Sequence, residues 1–413
     1  MTGQQLLDYF RLVTKYPRHQ DLFFREQHDR LWPILKTTAG LYRKYIIPRK
    51  RLIVVIGSLG KSTTTRTLRS IVIPPKRKQA WSNYGSCLAE NLLRSNPGDL
   101  YDVFEIGIDR LGEMAPYARL VRPDIVVVTS ISSEHNRTFK SLVQAREEKV
   151  PMVRALTEKG VAIINGDDEN VRWMSTQTSA KVVTYGMNEN NDIRAVDVSL
   201  NWPLGMKLKF RFGGNQEDIQ TRFLGKHMVY PLLAAVALAW EEGLSVENTI
   251  AQLAQLPSTP LRMETIRLNN GVTLIDDSWK GGWETILSSL ELFAEIPAKR
   301  KIVILGDIHE PPGTVRECYR QVGARLAQST DLVMFLGNNN FTSLRAGAVN
   351  AGMPFENVMM RLTIKEIMEW IKEVMRPEDV VLLKGRGTRL LKVRLCSLEM
   401  EVTTTISGRT NRA

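Results

Sequence analysis

The sequence predicts an α/β protein: a doubly wound parallel sheet built around a phosphate-binding loop (P-loop), then a second, Rossmann-like α/β domain, preceded by a short helical segment. Three observations support this fold class. An apolar, β-branched run at 52–56 leads through a glycine-containing loop into a helical pattern. Short apolar runs then alternate with helical segments over most of the chain, which is typical of parallel sheets. A Pro-Ser-Thr-Pro segment at 257–260 separates two such series.

The N-terminal segment, residues 1–50, is predicted to be helical and basic. Residues 1–51 contain eleven Lys and Arg against four Asp and Glu, in a chain of net charge +12. Such a surface suits an anionic partner, whether a polyphosphate-bearing substrate, an acidic lipid surface or nucleic acid, and a solvated basic helical face explains it equally well. Basic and aromatic residues do not interleave here, so no nucleic-acid partner is expected.

The P-loop follows the first strand directly. Its glycines can turn successive amides inward, Lys61 can reach terminal phosphates, and the Ser62 hydroxyl can hold a magnesium ion. The full pattern Gly-x-x-x-x-Gly-Lys-Ser/Thr is not met at its first position, where Val55 stands. The residues predicted to contact the nucleotide are Gly57, Ser58, Leu59, Gly60, Lys61, Ser62 and Thr63.

The central domain, 51–258, continues the alternation. Strands are predicted at 102–107, 124–131, 160–165 and 181–186, with an antiparallel edge strand at 206–212. Helices are predicted at 112–120, 141–156, 230–242 and 246–255. Ligands of such sheets bind at the carboxyl ends of the strands, so the residues that end these runs are the candidates for chemistry.

The C-terminal domain, 259–413, repeats the pattern. Its predicted strands are 272–275, 301–305, 332–336 and 380–383, and its predicted helices are 285–294, 315–328 and 364–375. A separate α/β domain of this length is expected to have its own core.

Composition bears on the compartment. The three cysteines lie far apart without metal-binding spacing, so a reducing environment is expected. No cleavable signal is visible, and the most apolar run, 232–240, is too short to span a bilayer. We therefore predict a cytoplasmic location.

Three further residues fall near strand ends of the first sheet. A carboxylate at Glu105 beside the Ser62 hydroxyl suits magnesium, which prefers oxygen ligands. His135 and Lys149 are less usual neighbours for that ion. Each residue also has an ordinary structural explanation: a helix cap for Glu105, a loop histidine for His135 and a solvated helix lysine for Lys149.

Several motifs in a fixed order resemble the Mur ligase family, which also includes folylpolyglutamate synthetase. Together they cover nearly all of residues 51–390. The motifs are Gly-Ser-Leu-Gly-Lys-Ser-Thr at 57–63, Phe-Glu-Ile-Gly-Ile-Asp-Arg-Leu-Gly-Glu-Met at 104–114, Arg-Pro-Asp-Ile at 122–125, Ile-Ile-Asn-Gly-Asp-Asp at 163–168, Gly-Lys-His at 225–227, Leu-Arg-Met-Glu at 261–264, Leu-Ile-Asp-Asp-Ser at 274–278 and Leu-Gly-Asp-Ile-His-Glu at 305–310.

The resemblance implies a carboxylate-amine ligase that uses ATP and Mg²⁺. In that family the γ-phosphate passes to a carboxylate, and an amine, often that of an amino acid or peptide, attacks the acyl phosphate. Small-molecule acid and amine substrates are therefore expected, with the C-terminal domain, around 306–310 and 384–389, presenting the amine.

The resemblance also implies roles for single residues. Lys61 and the loop amides would hold phosphates, and Ser62 with Glu105 would hold one magnesium ion. His135, with Lys149 carried as a carbamate, would hold a second. The other implied positions are Asn83 in the active site, Arg262 at the γ-phosphate and Asp277 at the ribose.

The chain departs from the family pattern in two places. His-Met-Val-Tyr-Pro at 227–231 replaces the usual His-Asn-x-x-Asn, and Trp-Lys-Gly-Gly-Trp at 279–283 replaces aromatic-Asn-x-Asn-Pro. The base is therefore expected to be held differently, and stacking on Trp279 or Trp283 is a hypothesis from their position. The basic helical segment stands where muramyl ligases carry a larger domain for the uridine nucleotide, so the acid is not expected to be held as a standard UDP-muramyl peptide.

Two rival functions remain at this point. One is a γ-glutamyl chain-extending ligase of the polyglutamate type. The other is a catalytically inactive nucleotide-binding partner, which the altered adenine motifs favour and the intact set of Lys61, Ser62, Glu105, His135 and Lys149 opposes.

Overall fold

The computed structural model describes residues 17–74, 85–133, 138–392 and 395. The strands are β1 (Arg51–Ile56), β2 (Tyr101–Glu105), β3 (Ile125–Val128), β4 (Val161–Asn165), β5 (Lys181–Gly186), β6 (Ile193–Asn201), β7 (Gly205–Phe212), β8 (Asn215–Thr221), β9 (Glu264–Arg267), β10 (Thr273–Asp277), β11 (Arg300–Leu305), β12 (Leu332–Leu336), β13 (Val358–Arg361) and β14 (Asp379–Lys384). The helices are α1 (Pro17–Tyr45), α2 (Lys61–Val72), α3 (Gly85–Leu93), α4 (Met114–Val121), α5 (Leu142–Lys149), α6 (Pro151–Arg154), α7 (Glu169–Ser175), α8 (Val229–Glu241), α9 (Val246–Gln255), α10 (Trp283–Glu295), α11 (Val315–Ser329), α12 (Phe341–Asn350) and α13 (Ile364–Val374). Short 3₁₀ turns lie at Lys226–Met228, Phe355–Asn357 and Arg386–Thr388.

The first sheet has the strand order β2-β1-β3-β4-β5-β6-β7-β8. Its neighbours pair in parallel from β2 to β6, whereas β6, β7 and β8 pair antiparallel. Every residue of β3 and β4 is buried, which explains their continuous runs of Val and Ile. The parallel order β2-β1-β3 brings the carboxyl ends of these three strands together beside the P-loop.

The antiparallel end of this sheet differs from the sequence prediction. β7 is antiparallel as expected, but it lies between β6 and β8, so its assignment as an edge strand is wrong. β8 is the edge strand, and most of its polar side chains are exposed. β8 has no apolar run and therefore carries little local signal, and it was not predicted. β6 was likewise not predicted.

The second sheet has the order β13-β12-β11-β14-β10-β9, and only β9 is antiparallel to its neighbour. The four predicted strands of this domain all occur. The two additional strands, β9 and β13, are four residues long and lie at the sheet edges, where little apolar surface is required. β10, β14 and β11 lie side by side, so the loops after them converge on one edge of the sheet.

Helix α1 is joined to the central domain by a buried arginine. Arg43 donates hydrogen bonds to the carbonyl oxygens of Ile47, Lys50, Val121 and Arg122 and to Oδ2 of Asp124 at 2.9 Å. Lys50 pairs with Asp102 at 3.2 Å and Arg51 with Glu242 at 2.5 Å. Two cations of the basic N-terminal segment, Arg43 and Lys50, and Arg51 at the start of β1 therefore have a structural role.

Two observations concern the predicted compartment. In the described part of the chain, no helix combines the length and apolarity needed to cross a membrane. Cys87 and Cys318 are buried free thiols, and Cys396 lies outside the described residues. The cytoplasmic location stays a prediction.

Candidate active site

The P-loop is a rigid turn between β1 and α2. Gly57 has φ of 140°, and a Cβ at this position would lie 2.1 Å from Thr129 Oγ1, so only glycine fits. Gly60 has a left-handed φ of 81° immediately before α2. The hydroxyl of Thr129 donates to the carbonyl oxygen of Leu59 at 2.6 Å. The segment after β3 therefore holds the P-loop in place.

Lys61 is buried at the start of α2, and its ammonium lies inside the loop. Nζ donates to the carbonyl oxygens of Gly57 at 2.9 Å and Ser58 at 2.6 Å. Burial lowers the pKa of Lys61 to about 8; Glu105 opposes this shift, and Arg262 adds to it. The lysine is thus still mainly charged at neutral pH, at the N-terminus of a helix whose dipole also favours anions.

Ser62 connects three separate parts of the protein. Its Oγ donates to Oε1 of Glu105, at the end of β2, across 3.1 Å. The same Oγ accepts a hydrogen bond from Nη2 of Arg262, at the start of the C-terminal domain, also at 3.1 Å. The three residues predicted to act around the terminal phosphate are therefore brought together by the fold.

A hydroxyl and a carboxylate at this distance are a fitting pair of oxygen donors for magnesium. Among the described residues no group of three or more His, Cys, Asp or Glu side chains is arranged to hold a metal. Asn83 and His135 lie outside the described residues, so their roles stay predictions.

Lys149, at the end of α5, is buried rather than solvated, with 3% of its surface exposed. Its Nζ has no hydrogen-bond partner in the described residues and lies 4.9 Å from the ring centroid of Phe139. Burial, followed by the positive charge of Lys61, lowers the pKa of Lys149 to about 7. A large share of this lysine is thus a neutral amine at neutral pH, and the explanation as a solvated helix lysine is wrong.

Asp277 ends β10 and forms a buried ion pair with Lys384, which ends the adjacent strand β14. Its Oδ2 also accepts a hydrogen bond from Ser289 Oγ at 2.6 Å. Burial lowers the pKa of nearby His227 to about 4, although the charge of Asp277 opposes this, so the imidazole is neutral. Asp277 is therefore an anchored carboxylate, not a free turn residue.

A cavity of about 530 Å³ lies between the two domains and adjoins the P-loop. It is lined by residues from both sheets: Leu59, Gly60, Thr63, Thr64, Thr129, Ser130, Ile131, Asn165, Asp167, Asp168, Glu169, Asn170, His227, Met228, Tyr230, Pro231, Arg262, Asp277, Trp279, Lys280, Thr285, Ser288 and Lys384. Its volume falls in the range of small-molecule sites, and its polar residues converge from several strand ends.

One wall of this cavity is built around Tyr230, which lies between the two positions, Met228 and Pro231, that depart from the family pattern. The hydroxyl of Tyr230 donates to Oδ2 of Asp167 at 3.1 Å. Asp167 also accepts from the backbone nitrogens of Met187 at 2.6 Å and Asn188 at 3.1 Å, and from Asn191 Nδ2 at 2.8 Å. Asp167 thus ties α8 to the loop after β5, so the motif around Tyr230 has a structural role in this wall.

The two tryptophans proposed to stack on a base occupy different places. Trp279 lines the large cavity, is 40% exposed, and has the guanidinium groups of Arg262 and Arg389 at 5.9 and 5.4 Å from its ring centroid. Trp283 begins α10, packs partly against the core and lines a smaller cavity beside Leu59. Of the pair, Trp279 has the position suited to a nucleotide in the large cavity.

Contacts near the P-loop fix both the C-terminal domain and the linker that precedes it. The backbone nitrogen of Ser133 donates to Oε1 of Glu284 at 2.9 Å, and the Ser133 hydroxyl donates to the same oxygen. Nη1 of Arg66, on α2, donates to the carbonyl oxygen of Pro257 at 2.7 Å. The predicted linker is therefore fixed to the P-loop helix.

Ser289 and Tyr230 were not predicted as site residues, and Lys384 was expected only as part of the segment 384–389 that presents the amine. A charged residue directly after the apolar run 380–383 was the available signal for Lys384. Ser289 and Tyr230 lie within helices and carry no local signal, because only the packing of α10 brings Ser289 to Asp277 and only that of α8 brings Tyr230 to the cavity.

A P-loop whose lysine and serine meet a strand-end carboxylate and an arginine from a second α/β domain defines a two-domain P-loop enzyme that uses a nucleotide. Comparison with known proteins then identifies its family. Residues 55–239 match the Mur ligase middle domain, and residues 261–387 match the Mur ligase, glutamate ligase domain. The chain belongs to the Mur ligase family and is an ATP-dependent ligase that forms amide bonds.

Among curated relatives, the chain is 27% identical over 306 residues to UDP-N-acetylmuramoyl-tripeptide--D-alanyl-D-alanine ligase of Escherichia coli, covering 72% of this chain and 67% of the relative. It is 25% identical over 348 residues to the Bacillus subtilis ligase of the same name, covering 83% and 75%. The resemblance found in the sequence is thereby confirmed at the level of the family.

Solved structures show the same fold. MurF from Thermotoga maritima in complex with ADP has a TM-score of 0.77 at 19% identity, covering 90% of this chain and 84% of that one. MurF from Acinetobacter baumannii has a TM-score of 0.75 at 21% identity, covering 90% and 80%. A pseudomurein peptide ligase type C from Methanothermus fervidus has a TM-score of 0.66 at 16% identity, covering 86% and 79%.

Proposed function

We propose that this enzyme activates a small carboxylic acid as an acyl phosphate and joins it to the amine of an amino acid or peptide, the acid being held otherwise than as a standard UDP-muramyl peptide. The observation that carries the proposal is the meeting of Ser62, Glu105 and Arg262 beside Lys61. Cations from both domains converge there with the carboxylate of Glu105. Phosphoryl transfer to a substrate acid requires such groups to stabilise the charge on the phosphate oxygens.

In the first step a carboxylate oxygen of the acid attacks the γ-phosphorus of ATP. The bond from that phosphorus to the β,γ-bridging oxygen breaks, and ADP leaves. Lys61 and Arg262 stabilise the charge that develops on the phosphoryl oxygens, and Asp277 with Lys384 contributes to the nucleotide cavity. Because these groups are already held by other contacts, little reorganisation is needed when the charge develops.

In the second step the neutral amine of the second substrate attacks the acyl carbon. The bond between that carbon and the phosphate oxygen breaks, inorganic phosphate leaves, and the nitrogen gives up a proton. The contact between Ser133 and Glu284 places the C-terminal domain beside the P-loop, which supports the proposal that this domain presents the amine.

We assign Ser62 and Glu105 as ligands of one magnesium ion, which would neutralise phosphate charge when bound. Lys149 is proposed to be a carbamate in the active enzyme. Its neutral amine would attack carbon dioxide, form a carbon-nitrogen bond and release one proton. The product is an oxygen anion, and it would replace a buried amine beside Lys61 that has no hydrogen-bond partner among the described residues. His135 is the proposed companion ligand.

The test is a phosphate-release assay with ATP, Mg²⁺ and pooled carboxylic acids and amino acids, followed by mass spectrometry of the products. Release that requires both an acid and an amine, with one amide formed per acid, supports the proposal. A ladder of products would instead show the chain-extending rival. Release of phosphate without any amide product, across pools that include UDP-muramyl peptides, would contradict the proposed pairing of substrates.

A further inference from the structure

The outer face of α1 carries an exposed apolar stripe, defined here as Leu31, Ile34, Leu41 and Tyr45 with the adjoining Ile46. Their exposed fractions run from 51 to 66%. The four helical residues recur at helical spacing, so they lie within one narrow arc of the helix surface. The stripe extends over about 20 Å of helix, at 1.5 Å per residue.

The inner face of the same helix already accounts for its attachment to the domain. Ala39 is fully buried, and Arg43 is held by five hydrogen bonds. Trp32 packs edge to face on Tyr117 with ring centroids 5.7 Å apart, and Tyr42 donates to the Ser95 carbonyl oxygen at 2.8 Å. The outer stripe is thus a second apolar face with no packing role in the described residues.

The charged residues of the segment 31–50, which carries the stripe, all have one sign. No Asp or Glu occurs anywhere in residues 31–50. Lys44 and Arg49 are exposed beside the stripe, with Lys44 Nζ 4.8 Å from the Tyr45 ring centroid. Arg43 and Lys50, by contrast, point inward to ion pairs. The exposed cations of this segment therefore remain available to an anionic surface.

We propose that the outer stripe docks the enzyme on an anionic lipid surface, with the apolar side chains at the headgroup boundary and Lys44 and Arg49 against lipid phosphates. Exposed apolar residues on one helix face, bordered by cations, are the pattern of helices that lie in the plane of a membrane interface. This inference is independent of which acid and amine the enzyme joins.

A lipid surface fits better than a second copy of the chain. A two-fold contact through the stripe would bring Lys44 and Arg49 of both copies together, and the segment has no carboxylate to compensate them. The stripe also lies on the outer surface of a single helix, which suits a broad surface more than an inserted peptide.

The experiment is co-sedimentation of the full chain with vesicles of phosphatidylcholine and phosphatidylglycerol at roughly three to one, compared with pure phosphatidylcholine. We expect binding to the anionic vesicles that weakens with added salt. The double variant Lys44→Gln with Arg49→Gln should weaken binding to the anionic vesicles about 25-fold, because each cation contributes about a fivefold gain in affinity. Ile34→Gln with Leu41→Gln should weaken it about tenfold or more.

Matched controls use exposed residues elsewhere: Lys365→Gln with Lys372→Gln for charge, and Leu204→Gln with Leu362→Gln for apolar surface. These should bind as the wild type does. The proposal is overturned if the wild type does not sediment, if pure phosphatidylcholine binds it equally, or if control and stripe variants lose binding alike. A dimer in solution that only the stripe variants abolish would assign the stripe to a second copy instead.

Discussion

Nη2 of Arg262 lies 3.1 Å from Oγ of Ser62, so the start of the C-terminal domain hydrogen-bonds to the first turn of the P-loop helix across 200 residues of sequence. The flanking residues Leu261 and Met263 both have left-handed φ, 62° and 51°. Such a conformation costs a non-glycine residue about 1 to 2 kcal/mol. Glu264 stabilises it, since its Oε2 accepts from the Leu261 backbone nitrogen at 3.0 Å.

Arg262→Lys is predicted to lower kcat about 100-fold or more, because lysine keeps the charge but cannot reach both Ser62 and a phosphate with a planar guanidinium. The measurement is steady-state ligation together with nucleotide titration. Arg66→Lys is the matched control, since Arg66 contacts the linker but does not line the cavity. Equal kcat in both variants would remove Arg262 from the chemistry.

Lys149→Ala is predicted to abolish ligation and to regain part of it with added formate or acetate, because a short carboxylate can supply the oxygens of the lost carbamate. Lys140→Ala, an exposed lysine just before α5, should keep full activity and show no response to these anions. The readout is phosphate release with and without the added acid. Full activity of Lys149→Ala would contradict the carbamate role.

When Lys149 is not carbamylated, it should also make the stability of the protein depend on pH. Its pKa is about 7 in the folded protein, against an ordinary value of 10.5. Between these values the unfolded chain binds more protons, so stability should rise as the pH increases from about 7 to about 10. In carbon dioxide-free buffer, Lys149→Met should be more stable than the wild type at pH 6, by up to about 5 kcal/mol, and the advantage should shrink toward pH 10. Urea unfolding measures this, and a constant difference would rule out the shift.

Asp277→Asn is predicted to destabilise the fold by about 3 to 5 kcal/mol, because it leaves the ammonium of Lys384 buried without its carboxylate. Adding Lys384→Met should recover much of this loss, since no buried charge then remains. Thermal unfolding of both variants, with nucleotide titration, gives the comparison. Weaker nucleotide binding at unchanged stability would indicate that Asp277 acts only on the ligand.

Trp279→Ala is predicted to lower the affinity for ATP about tenfold. This takes the loss of an aromatic and cation-π contact as about 1 to 2 kcal/mol of binding free energy. Trp283→Ala should leave ATP affinity nearly unchanged and lower the thermal stability, because Trp283 packs against the core. Isothermal titration with a non-hydrolysable ATP analogue measures both. Unchanged affinity in each variant would show that neither ring stacks on the base.

Much of the fold was predictable because its strands are either fully buried or clearly periodic. β1, β4 and β5 match the predicted runs to within a residue. β1 and β4 are almost entirely buried, and parallel strands covered on both faces must be apolar. β6 and β8 were not predictable in the same way. Their stability comes from pairing with β7, and a strand with one wet face and polar residues such as Glu217 has no local apolar signature.

The sequence by itself determined the P-loop, the order of the two α/β domains and the family. Such features depend on local requirements of the chain. Position 57, for example, must be glycine because a Cβ there would collide with Thr129. Only the tertiary structure decided that Lys149 is a buried amine with no hydrogen-bond partner among the described residues, that Lys384 neutralises Asp277, and that Arg262 reaches Ser62. The physical reason is that burial and charge pairing depend on residues distant in sequence, whose separation only the packed fold fixes.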